Sequence, residues 1–181
     1  MRTVQPTERT WAILFRGDSF EPPPMVHEIA YIPDLSWFTV YFPKPDSEEE
    51  RQQMERLVYS ALARKEVSIF LVKIHPRALH FVTSKRVAGK AKRALSEAGL
   101  EVEVVSPCAL VKVYASNMRA IPGIMGKLVD ALQKSKVTIF ATGDAYNFVG
   151  ILVDQKDLER ALSAAANCFF KDLHRATPFE R

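Results

Sequence analysis

Ala61-Leu62-Ala63-Arg64-Lys65-Glu66-Val67-Ser68-Ile69-Phe70 returns, seventy positions on, as Ala131-Leu132-Gln133-Lys134-Ser135-Lys136-Val137-Thr138-Ile139-Phe140. Each copy reads as an amphipathic helix ending in Ala-Leu, a short basic connection, and a strand that opens with Val, a hydroxyl residue, Ile and Phe. The same local pattern used twice in 181 residues implies one folding unit built twice rather than a single unrepeated domain.

Outward from this stretch the same elements recur. Both copies run into a second strand, after His75-Pro76-Arg77 in one (Ala78 to Thr83) and after Gly143-Asp144-Ala145 in the other (Asn147 to Val153), with proline or glycine at the corner. Upstream stands another strand, Trp37 to Phe42 or Leu110 to Ala115. A helix follows it, with apolar residues at i, i+3, i+4 and i+7: Met54, Leu57, Val58, Ala61 and Leu62 in the first copy, Met125, Leu128, Val129 and Leu132 in the second. The second helices turn Val87, Ala91, Ala94, Leu95 and Ala98, or Leu158, Leu162, Ala165 and Phe169, to the core.

The first copy closes with Leu100 to Val105, in which Leu100, Val102 and Val104 alternate with Glu101 and Glu103. That completes β-α-β-β-α-β, an α+β ferredoxin-like unit with two helices on one face of a four-stranded sheet. The second copy lacks a closing strand, since Lys171 to Pro178 does not alternate. An unassigned strand precedes the first copy, Val26 to Ile32, bounded by Pro22-Pro23-Pro24 and Pro33-Asp34. It is expected to fill the vacant place, so that the domains interlock: 34–106 forms one, 25–33 with 107–173 the other. Residues 1–24 form an N-terminal extension, in which Trp11 to Phe15 reads as an added strand, and 174–181 a tail.

Composition narrows the function. Apolar residues make up 48% and charged ones 25%, which is globular, and a net charge of +4 is too small for a dedicated nucleic-acid footprint. The third strands, Ala78 to Val82 and Phe148 to Leu152, lack the aromatic RNA-reading pattern of this fold, so no nucleic-acid partner is expected. Lys85, Arg86, Lys90, Lys92 and Arg93 read as a solvated helix face. No apolar run approaches the length of a membrane span, and Cys108 and Cys168 lie in apolar runs as reduced thiols do, pointing to the cytoplasm. His27, His75, His80 and His174 show no metal spacing, and no nucleophile–base arrangement appears. No metal, cofactor or catalytic residue is expected.

Two stretches of the second copy carry a resemblance. Ala115-Ser116-Asn117-Met118-Arg119-Ala120-Ile121-Pro122-Gly123-Ile124 resembles the strand-to-helix loop of the ACT domains that form the regulatory half of aspartate kinases, and Val153-Asp154-Gln155-Lys156-Asp157-Leu158-Glu159-Arg160-Ala161 resembles their strand-to-second-helix junction. Val26 to Val40 is similar to the lead-in of that region, and the resemblance covers about residues 25 to 170. It implies two tandem ACT domains in the manner of a short regulatory subunit. Neither Gly-x-Gly-x-x-Gly nor Gly-x-x-x-x-Gly-Lys-Ser/Thr occurs, so a nucleotide-binding kinase domain is not expected within the chain.

The resemblance further implies a small amino-acid effector of the lysine or threonine class bound at domain interfaces, a homodimer through the ACT domains, and a separate kinase subunit as a possible partner. The residues supply a physical reason. A helix entered near Pro122 presents the amides of Gly123, Ile124 and Met125 with the positive end of its dipole behind them, a seat for an α-carboxylate. Gly123 admits a ligand close to the backbone, and Arg119, with Asn117 and Met118 beside it, is a candidate either to pair with a ligand carboxylate or to cap the loop. Thr138, Ile139 and Thr142 on the adjoining strand are the remaining candidate contacts. The bland alternative is that Pro-Gly opens any helix and Thr suits any strand.

The first copy departs from the pattern. Its corner, Phe42-Pro43-Lys44-Pro45-Asp46-Ser47-Glu48-Glu49-Glu50, has no glycine; Asp46 or Ser47 caps the helix and the glutamates repel a carboxylate. Ser68, Ile74 and His75 stand where the family carries polar contacts. A second reading therefore stays open, in which the ACT units serve oligomerisation or protein–protein contact without a ligand.

Overall fold

The computed structural model describes residues 3–4, 25–43 and 47–170. Its elements are β1 (Thr3–Val4), β2 (Met25–Tyr41), α1 (Glu48–Arg64), β3 (Phe70–His75), β4 (Ala78–Ser84), α2 (Lys85–Glu97), β5 (Glu101–Ser116), α3 (Ile124–Lys134), β6 (Ile139–Asp144), β7 (Phe148–Asp154) and α4 (Leu158–Phe169). The described residues fold as two compact units, one within 33–108 and a discontinuous one made of 3–4, 25–32 and 109–170.

In the 33–108 unit the strands lie in the order β3-β4-β2-β5. β4 pairs antiparallel with β2, Phe38 opposite Phe81 and Val40 opposite Leu79. These four side chains are fully buried, the Phe38 and Phe81 rings stack at 4.8 Å, and Val58, Ala61 and Leu62 of α1 with Ala91 and Leu95 of α2 complete the core. Helix α2 turns Lys85, Arg86, Lys90, Lys92 and Arg93 to solvent, as its amphipathic spacing requires.

The other unit orders its strands β2-β5-β7-β6. Ile29 is 4% exposed within the core formed by Val111, Val113, Leu128, Leu132, Ile151 and Ala165. The early strand thus completes the second domain's sheet, the interlocking expected from the missing fourth strand. β1 adds to its edge, Thr3 opposite Ala30 and Val4 opposite Ile29. Trp11 to Phe15 lies outside the described residues.

The repeat holds down to single hydrogen bonds. Val67 N–H donates to Leu62 O at 3.0 Å and Val137 N–H to Leu132 O at 3.1 Å, and Glu66 and Lys136 hold the same left-handed backbone (φ 51° and 55°). Phe42 N–H reaches Arg77 O at 2.9 Å as Ala115 N–H reaches Asn147 O at 3.0 Å.

Three local expectations shift. Pro33-Asp34 does not end a strand: Asp34 takes φ 54° and β2 runs on from Met25 to Tyr41, the inward residues changing from odd (Ile29) to even (Phe38, Val40) across it. Likewise Glu101 to Val105 and Leu110 to Ala115 belong to one strand, β5, with Leu100 just before it. The second hairpin turns at Ala145-Tyr146-Asn147, with Ala145 N–H on Phe148 O at 2.9 Å, while Gly143 sits inside β6 opposite Gly150. A Cβ at Gly150 would stand 3.3 Å from the end of the Leu110 side chain, a close approach that requires Leu110 to give way.

Candidate functional site

β5 ends in a tight corner before α3. Asn117 takes a left-handed backbone (φ 42°), and a single 3₁₀ turn, Met118–Ala120, follows, closed by Ala120 N–H on Asn117 O and Ile121 N–H on Met118 O. Helix α3 begins at Ile124, with Gly123 as its N-cap at φ 74° and no side chain capping it. Pro122 therefore stands before the cap rather than in the first turn, because only a residue free to adopt positive φ can swing the chain into the helix there. The N–H groups of that first turn have no intrahelical acceptor.

Asn117, Arg119, Pro122 and Gly123 are exposed around this corner. Ile124 is buried in the core, and Met118 and Met125 pack against it, so these three build the corner's floor. From Ala115 to Val129 the only charged residues are Arg119 and Lys127, both cations. The Arg119 guanidinium lies 5.8 Å over the ring of Tyr146, a residue 80% exposed at the tip of the β6–β7 hairpin. Tyr146 was not marked by any spacing in the sequence; it reaches the corner because the hairpin tip, through Asn147 O, is bonded to the end of β5.

Thr138 and Ile139 are not brought to this corner. Thr138 N–H donates to Asp157 Oδ2 at 2.9 Å and its carbonyl accepts from Asp154 N–H at 3.3 Å, at the end of β7 opposite the one that meets β5's last residues. β7 is seven residues long, so the two places are separated by roughly 20 Å of strand. Asp157 is 1% exposed and also accepts from Arg160; the Thr138 N–H, then Arg160, hold its carboxyl below the usual carboxylate range. Ile139 packs on the core, and Thr142 is half-buried midway along β6, opposite Ile151.

The equivalent helix entrance of the 33–108 unit is already filled. Ser47 Oγ accepts from Glu50 N–H at 3.1 Å, Glu48, Glu49 and Glu50 occupy the first turn of α1, and Arg51 pairs with Glu48 and Glu55. Just before the next strand, Ser68 O accepts from the buried Thr83 hydroxyl at 2.7 Å. His75 meets His80 edge-on, and His80 stacks on Trp37 at 5.2 Å while bonded to Thr39; burial, then His75, pushes its imidazole below the ordinary value. Among the described residues no cluster of His, Cys, Asp or Glu could hold a metal, and no helix is long and apolar enough to cross a membrane.

Residues 103–164 match the family described as ACT domain. Aspartokinase 1 of Bacillus subtilis is 24% identical over 153 residues, 84% of this chain and 36% of that protein, so the chain spans about a third of that relative's length. The crystal structure of the regulatory subunit of aspartate kinase from Thermus thermophilus superposes with a TM-score of 0.69 at 18% identity, covering 80% of this chain and 98% of that one. Aspartokinase III of E. coli, in complex with lysine and aspartate, gives 0.62 at 17% identity over 82% of this chain and 34% of its own. The fold is that of the tandem ACT regulatory region of aspartate kinases, which this chain resembles as a short regulatory piece.

Proposed function

We propose that this tandem ACT protein is a non-catalytic, cytoplasmic regulatory module that binds a small amino-acid effector at an ACT-domain interface. One observation carries the reading: of two equivalent helix entrances, that of α1 is capped by Ser47 and followed by three glutamates, whereas that of α3 has no side-chain cap and its own segment, Ala115 to Val129, carries only the cations Arg119 and Lys127. An α-carboxylate is favoured at the second and repelled at the first. Asn117, Arg119, Pro122 and Gly123 border the effector, with Ile124, Met118 and Met125 beneath. Thr138, Ile139 and Thr142 contribute only where a second ACT unit, in a homodimer, brings its own strand to the corner.

The lysine seen with aspartokinase III makes lysine one candidate, threonine another, and the Thermus regulatory subunit makes a separate kinase chain the natural partner. A thermal-shift screen of the full chain against the proteinogenic amino acids tests the reading. A ligand at about 100 times its Kd stabilises by about 2.7 kcal/mol. Arg119→Ala should remove the shift; no shift with any amino acid rejects effector binding.

A second reading rests on the edge strand β3, where Phe70, Val72 and Ile74 are 38%, 36% and 50% exposed. A bare apolar edge supports an oligomerisation module without ligand, and that reading gains if the screen is blank and the chain dimerises.

A further inference from the structure

The two copies differ at one pair of positions in a way that leaves one of them incomplete. Tyr114 and Phe148 of the 109–170 unit pack ring against ring at 5.3 Å, and the Lys112 ammonium lies 4.7 Å over the same Phe148 ring. The matching hydrogen bonds from Phe42 to Arg77 and from Ala115 to Asn147 place Tyr41 at the position of Tyr114 and Ala78 at that of Phe148. Tyr41 is directly opposite Ala78 in the ladder, so where one unit inserts its own phenyl ring the other has a methyl group.

The space is a cleft of about 720 Å³ in the 33–108 unit. Its walls include Tyr41, Phe42, Ala78 and Leu100, and among the described residues its charged lining is Arg77 and Glu101, one of each sign. Tyr41 is 39% exposed, and its hydroxyl donates to Glu103 Oε2 at 2.6 Å, which pins the phenol toward β5 and leaves the ring beside Ala78. Aromatic pairs of the Tyr114–Phe148 kind gain beyond simple burial, so a ring offered from outside finds a ready partner in Tyr41. A guanidinium and a carboxylate bordering the same cleft match the two charges of an amino-acid head group.

We propose that the Tyr41–Ala78 cleft binds a free aromatic amino acid, its ring taking the place that Phe148 fills in the other copy, its carboxylate at Arg77 and its ammonium at Glu101. This site is on other residues than the α3 corner and does not depend on effector binding there. Isothermal titration of the full chain with L-phenylalanine tests it. Saturable binding is expected, weakened by about tenfold or more in Ala78→Phe, which supplies the ring internally as the second copy does, and weakened in Arg77→Ala. Phenethylamine, which has no carboxylate, should bind wild type and Arg77→Ala alike.

Amide shifts on titration should fall at Tyr41, Phe42, Ala78 and Leu100. Absence of saturable binding, unchanged affinity in a folded Ala78→Phe, or shifts confined to Asn117–Met125 would each overturn the proposal. If Ala78→Phe does not fold, the Arg77→Ala comparison and the shift map decide alone.

Discussion

The backbone N–H of Thr138 donates to the carboxylate of Asp157 at 2.9 Å, which ties the first residue before β6 to the residue that opens α4. Asp157 is almost wholly enclosed and Arg160 bonds its other oxygen. This is a junction of structure, and it takes Thr138 out of the corner in which its hydroxyl alone suggested a place.

Asp157→Ala leaves the Thr138 N–H without its acceptor, at a cost of about 1–3 kcal/mol. The wild-type contribution has a definite pH window. Because the folded carboxyl titrates lower than in the unfolded chain, where it lies near about 3.9, the contribution is complete above that value and is lost as pH falls through the folded one. Urea midpoints should therefore show the variant well below wild type at neutral pH, with the gap closing in acid. A gap independent of pH contradicts the assignment.

Gly123 stands at φ 74°, and a Cβ added there would meet nothing within 4 Å. The cost of substitution is conformational, not steric. Gly123→Asn, which tolerates the left-handed region, should melt close to wild type, whereas Gly123→Val loses about 1–2 kcal/mol, and so is unsuited to testing ligand contact in an unperturbed fold. Equal melting temperatures for the two variants would show that the backbone does not require this conformation.

Ile29 is separated from its core neighbours Val111 and Leu128 by some eighty positions and more, yet is 4% exposed among them. Ile29→Ala should destabilise by about 2–5 kcal/mol. Hydrogen exchange should place the loss in the amides of 109–170 while those of α1 and β4 keep their protection. Uniform loss, or loss confined to 33–108, contradicts the crossed-over strand; deletion of residues 1–32 should act more severely in the same place.

Ser47→Ala removes the α1 cap and should cost about 1 kcal/mol. Chemical denaturation of the variant checks this, and an unchanged midpoint would mean that Glu48 to Glu50 hold the helix end without it.

Much of this architecture was legible because it depends on periodicity. The second appearance of Ala-Leu, a basic connection and Val-hydroxyl-Ile-Phe fixed the repeat, and the absence of a closing strand after Phe170 assigned Val26 to Ile32 its place. The α1 cap was legible to within one residue, Asp46 or Ser47, since a short polar side chain before three glutamates is a helix start by its own chemistry. The joins were not: Pro33-Asp34 reads as a stop, but a single residue in the left-handed region bends β2 without ending it. Nor were the contacts that depend on tertiary register, such as Tyr146 beside Arg119 or Asp157 beneath Thr138, because no local spacing encodes which hairpin tip meets which corner.

The claim at the centre is that an amino acid's carboxylate sits at the entrance of α3. Amide chemical-shift mapping of the full chain, titrated with whichever amino acid stabilises it, measures this directly. The account predicts that the largest shifts cluster at Asn117, Arg119, Gly123, Ile124 and Met125 and vanish in Arg119→Ala; a stabilising amino acid that leaves those amides unmoved would contradict it.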